Sequence, residues 1–99
     1  MTRLENWKFS NYINWFQYPT EDKLQLIGEI YDDATERFVD GTNIRTSEVL
    51  TFDCITMTAE TLNTTYELGN IDQEFKEFID FNCIFLQEYE RKLTIETAF

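Results

Sequence analysis

The side chains in this sequence best equipped to do chemistry are carboxylates, and two groups of them stand out. Glu74, Glu77, Phe81, Ile84 and Glu88 are spaced 3, 4, 3 and 4, which on a helix makes one stripe, with Asp80 beside it. Two large apolar side chains thus stand among acids. Such a stripe is either a solvated helix face, with Phe81 or Ile84 tucked against the fold or against a second copy, or a contact patch. In the second case apolar anchors ringed by acids suit a partner surface of Arg and Lys. The other group is Asp32, Asp33, Glu36 and Asp40 in the segment DDATERFVD. It lacks the D-x-[DN]-x-[DN]-G order and distal Glu of a calcium loop, and reads as a solvated loop or as a second part of the same acidic surface.

Other chemistries have few carriers. There is no histidine, so Cys54 and Cys83 can build neither a Cys-His zinc site nor a Cys-His nucleophile. Both are expected reduced, as part-buried small hydrophobes. No G-x-S-x-G, Gly-rich phosphate loop or metal-ligand cluster occurs, and no enzyme activity, metal or cofactor is expected. Arg37 and Arg45 are the only bases between Lys23 and Lys76. Together they can hold one anionic group, which keeps a sponge for a signalling nucleotide among the alternatives.

Nineteen acids against eight bases leave a net charge of -11, which repels nucleic acid and anionic membranes and attracts basic proteins. Residues 60 to 90 carry eight acids and one base, so -7 of the total sits there. Acids on successive helical turns stand roughly 5 to 6 Å apart, comparable with neighbouring phosphates. A row of them imitates a nucleic-acid backbone to a basic groove.

Sixteen aromatics in 99 residues supply a core for one domain spanning residues 1–99. No apolar run reaches membrane-spanning length and no signal-like start is seen, so a cytoplasmic location is expected. Strands are expected within residues 5–69: at Asn6–Ser10, at Lys23–Tyr31 with Leu24, Leu26 and Ile30 inward and a bend at Gly28, at Ile44–Asp53, at Ile55–Ala59 and around Tyr66 and Leu68. Tyr12–Tyr18 reads as an aromatic strand or turn, Pro19–Asp22 and Asp40–Gly41 as turns. Trp7, Phe9, Trp15 and Phe16 are expected to cover one edge of the core.

Ile71, Phe75, Phe78, Ile79, Asn82, Phe85, Leu86, Tyr89 and Leu93 keep helical spacing on one face. They predict a single helix over 71–93, roughly 34 Å long. Asn70 is its expected N-cap, Gln73 completes a capping box, and Arg91 and Lys92 fall in its last turn. The expected fold is α+β: an antiparallel meander of about five strands, able to curl toward a small barrel, packed by a C-terminal helix.

From Leu26 to Gly69 the residues Arg37, Phe38, Asp40, Gly41, Thr42, Ile44, Thr46, Ser47, Thr64, Tyr66, Leu68 and Gly69 form an R-F-x-D-G-T-x-I-x-T-S…T-x-Y-x-L-G pattern. The pattern resembles short accessory proteins of bacteriophages and mobile elements of low-GC Gram-positive bacteria. That resemblance implies a host-defence or phage-regulation context in the bacterial cytoplasm. Compact acidic proteins in that context are similar to anti-CRISPR inhibitors, which occupy the nucleic-acid-binding surface of a Cas effector. The leading expectation is therefore such an inhibitor, with Asp32, Asp33, Glu36, Asp40, Glu74, Glu77, Asp80, Phe81, Ile84 and Glu88 meeting the partner. The alternative is a homodimeric phage structural, assembly or regulatory protein.

Overall fold

The computed structural model describes residues 1–19 and 23–97, the last three as backbone only. In chain order it contains β1 (Arg3–Phe9), α1 (Tyr12–Gln17), β2 (Gln25–Tyr31), β3 (Thr42–Asp53), β4 (Thr58–Thr61), β5 (Thr65–Leu68), α2 (Gln73–Phe81) and α3 (Leu86–Thr97). The five strands follow one another as a meander and close into a barrel. Because successive antiparallel strands alternate in direction, the first and fifth point the same way. The closing pair must then be parallel, and it is: Arg3 faces Glu67 and Leu4 faces Leu68. Closure gives β1 and β5 a second neighbour, which shortens the edge left for intermolecular pairing.

Alternation sets the inside of the barrel. Leu24 just before β2 and Leu26 and Ile30 on it keep period-2 spacing and are buried with Leu4, Trp7 and Phe9 on β1. Two irregularities let so small a barrel bend. Asn6 takes φ 50, the β1–β2 register slips between Glu5 and Lys8, and the bulged backbone presses on Gly28. A Cβ there would lie 3.1 Å from the Glu5 carbonyl oxygen and 3.2 Å from Trp7 Cα. The second slip falls between Gln25 and Ile27 against β3, where Thr46 Oγ1 accepts from the Leu26 N–H at 3.0 Å. Gly41, at φ 88, turns the chain into β3 while its N–H donates to the Ile30 carbonyl at 2.7 Å.

Several expectations shift. Tyr12–Gln17 is a short helix, since Tyr12, Trp15 and Phe16 at i, i+3 and i+4 put one aromatic face inward. Trp7, Phe9 and Trp15 are the centre of the core and not its edge. The expected strand at Ile55–Ala59 begins only at Thr58, because Asp53 Oδ1 accepts from the N–H groups of Ile55 at 2.9 Å and Thr56 at 3.2 Å. That closes a local turn. Apart from Pro19, the turn expected at Pro19–Asp22 lies outside the described residues.

The long helix is two helices, and it starts late. Past β5 the chain keeps running beside β1, with Trp7 N–H donating to the Asn70 carbonyl at 3.2 Å and Asp72 N–H to that of Trp7 at 2.8 Å. Asn70 and Ile71 are thus committed to the barrel. Asp72 is the N-cap, accepting from the Phe75 N–H at 3.1 Å. The break follows Phe81. Cys83 takes φ 55, its N–H donates to the Asp80 carbonyl at 3.2 Å, and the Ile84 N–H donates to the Ile79 carbonyl at 2.8 Å. Those two bonds define a Schellman termination. Asn82 Nδ2 also donates to the Phe78 carbonyl at 2.8 Å. Arg91 and Lys92 consequently fall inside α3, where Lys92 Nζ donates to the Phe16 carbonyl at 2.7 Å.

Both helices bury their inner faces on one aromatic cluster. Phe75 and Ile79 come from α2, and Tyr89 and Leu93 from α3. Phe9 stacks on Tyr89 at 5.2 Å between centroids and meets Phe75 edge-on at 5.7 Å, geometries that favour ring quadrupoles. The Tyr89 hydroxyl donates to the Tyr12 carbonyl at 3.1 Å. Burial pushes that phenol far above its ordinary range, with Tyr12 and Glu88 adding to the shift. No helix among the described residues is long and apolar enough to cross a membrane.

Candidate functional site

The Schellman turn decides which of the expected contact residues can act together. Glu74, Glu77, Asp80 and Phe81 all lie on α2 and are exposed. Ile84 does not join them. As the residue following the left-handed position it folds back onto the core, the apolar contact that accompanies such turns. Glu88, half-buried in the first turn of α3, belongs to a different axis. The expected five-residue stripe is thus a row of three carboxylates ending at Phe81. In it, Asp80 is paired with Lys76 at 2.8 Å and Glu77 accepts from Gln73 Nε2 at 3.2 Å.

Phe85 was not expected here, since its spacing places it on the inner face of one continuous helix. Resetting the helix axis at Cys83 turns it outward, and Phe81 and Phe85 are 89% and 68% exposed. Cys83 between them is exposed too. This corrects the expectation of a part-buried thiol, and its cause is the same turn. Cys54 is free and half-buried as expected, and burial followed by the neighbouring Glu90 pushes its thiol up.

The other acidic group is built differently. Asp33 is buried down to 9% exposure and organises its own loop. Oδ1 accepts from the Thr35 N–H and hydroxyl at 3.1 and 2.8 Å, and Oδ2 from the N–H groups of Arg37 and Phe38 at 2.9 and 3.1 Å. Burial works against the carboxylate, but these donors win and hold it below its ordinary value. Asp40 Oδ1 accepts from the Asp32 N–H at 3.0 Å, and Asp32 Oδ2 meets Arg3 at 3.4 Å. Glu36 is exposed at φ 57. Of the four loop acids, Asp33 is therefore a scaffold, and Asp32, Glu36 and Asp40 face solvent.

The two groups are anchored at different points of the fold. The loop is tied to the start of β1, with Ala34 N–H donating to Thr2 Oγ1 at 3.0 Å. The α2 helix meets the far end of β1 and α1, where the Tyr12 ring lies 4.8 Å from that of Phe75.

Arg37 and Arg45, by contrast, are brought together. Both line one pocket with Phe38, Ile44, Thr46, Ser47, Asn63 and Tyr66. Among the described residues no three His, Cys, Asp or Glu side chains converge as metal ligands. No protein-family model, curated protein or solved structure matches the chain.

Proposed function

We propose that this protein is a binding module that docks onto a basic surface of a nucleic-acid-handling protein through α2 and the α2–α3 turn. The observation that carries this reading is the pair Phe81 and Phe85, 89% and 68% exposed, beside the carboxylates of Glu74, Glu77 and Asp80. Large exposed aromatics rimmed by one sign of charge are what a partner-binding patch is made of. Glu74 and Glu77 have no cationic partner among the described residues, so their charge is available to a partner's Arg and Lys. A net charge of -11 steers encounter with such a partner and repels nucleic acid itself.

Within the phage and mobile-element resemblance, the partner is a Cas effector and the activity is inhibition of its nucleic-acid binding. The test is binding to a purified effector across a salt series. Affinity should fall steeply with salt, and reversing Glu74 and Glu77 to Lys should weaken it by about tenfold or more. Equal binding by the reversed variant removes this surface from consideration. A homodimer using the same two phenylalanines is the competing outcome. Light scattering would then show a dimer in dilute protein that Phe81→Glu dissociates, while effector binding is absent.

A further inference from the structure

Of the four arginines, only Arg3 forms ion pairs with carboxylates among the described residues. Arg37 and Arg45 have none among the described residues. Arg37 is oriented from two sides. Its Nε donates to Thr35 Oγ1 at 2.7 Å, and its guanidinium carbon lies 5.4 Å from the centre of the Phe38 ring. The Arg45 Nη1 donates to Gln25 Oε1 at 3.3 Å. The other guanidinium N–H donors of both residues have no protein acceptor among the described residues, and both side chains line the same cavity of about 120 Å³.

The rest of the lining points the same way. Ser47 lines the cavity as well, with its hydroxyl closed to solvent. Asn63 adds a side-chain amide at the same cavity. The Asp33-centred loop fixes where Arg37 stands, and β3 carries Arg45.

We propose that this cavity is a binding site for a phosphoryl group, clasped by Arg37 and Arg45 and accepting a further hydrogen bond from Asn63. Two planar, permanently charged forks match the tetrahedral oxyanion. The volume is well below the roughly 300 Å³ at which drug-sized pockets begin. The cavity therefore takes the phosphoryl group itself, with any organic remainder lying outside. Free phosphate and a small phosphomonoester share this chemistry, whereas a polyanionic strand is opposed by the net charge. The site is separate from the acidic α2 surface and does not depend on it.

Isothermal titration calorimetry on the full chain with inorganic phosphate, AMP and adenosine tests the proposal. Phosphate or AMP should bind, and adenosine should not. Tighter binding of AMP than of phosphate assigns the site to phosphomonoesters, and the reverse to free phosphate. Arg37→Gln and Arg45→Gln should each weaken binding about tenfold or more. Should an arginine variant fold poorly, NMR titration of the unaltered protein decides, because phosphate must shift the Arg37 and Arg45 Nε resonances. No binding at millimolar ligand, equal binding of adenosine, or shifts confined to other residues would overturn the proposal.

Discussion

The Ile84 N–H donates to the Ile79 carbonyl at 2.8 Å, and that bond across five residues divides what the spacing of the apolar residues presents as one helix. It places Cys83 in the left-handed region at φ 55, which costs a side-chain-bearing residue about 1 kcal/mol relative to glycine. Cys83→Gly is expected to raise stability by about that amount and Cys83→Val to lower it. Urea unfolding of both variants checks the sign, and a stabilising valine would argue against the turn.

Phe81 and Phe85 contribute little to the fold in the free protein. Phe81→Ser and Phe85→Ser should each change stability by less than about 0.5 kcal/mol, the range of surface substitutions. Phe75→Ala, at the buried end of the same apolar pattern, should cost about 3 to 5 kcal/mol. Comparable losses at all three positions would mean that the two helices pack differently.

Asp33 governs acid stability. Its carboxyl is held below the ordinary 3.8 despite burial, by donors from Thr35, Arg37 and Phe38, so the unfolded chain binds the proton more readily. The contribution is complete above pH 3.8 and is lost as pH falls through the depressed folded value. Asp53, held down by the N–H groups of Thr56 and Ile55, acts in the same direction. Melting temperature measured from pH 6 downward should drop below about pH 4, and Asp33→Ala should both lower the plateau and shrink the drop. Asp33→Asn is expected to be nearly as damaging, because each carboxylate oxygen accepts two bonds and an amide nitrogen accepts none.

Tyr89 governs the alkaline limb. Its phenol is pushed up by burial, as are those of Tyr12 and, more exposed, Tyr31. Folding therefore favours the protonated forms. That stability is complete below the ordinary value of 10.0 and declines as pH rises above it. Tyr89→Phe loses the bond to the Tyr12 carbonyl, costing about 1 kcal/mol at neutral pH, but should reduce the loss of stability above pH 10. An unchanged alkaline limb in the variant would place the titrating phenol elsewhere.

The barrel was readable because period-2 alternation at Leu24, Leu26 and Ile30 has one meaning, and Gly28 marks where a neighbouring backbone comes close. The helix break was not. Phe75, Ile79, Tyr89 and Leu93 serve one core from two axes, and their spacing survives the turn between them. The exposed Phe85 and inward Ile84 were misassigned for that single reason. Asn70 resembles an N-cap, yet its carbonyl serves the Trp7 N–H, a tertiary use that local pattern does not reveal. At the pocket, Arg37 and Arg45 were conspicuous as isolated bases, while Asn63 joins them only when the strands close.

An odd number of strands also fixes an order of events. The β1 strand finds its last neighbour only when the chain around Gly69 arrives, and Trp7 Nε1 then reaches the Gly69 carbonyl 62 residues away in sequence. Until that point in synthesis its outer edge stays open, and the indole that anchors the core lacks its acceptor. Contacts of such long sequence separation slow folding and expose a sticky strand meanwhile. The bulge at Asn6, which kinks that edge, would keep a second nascent chain from adding to it during the wait.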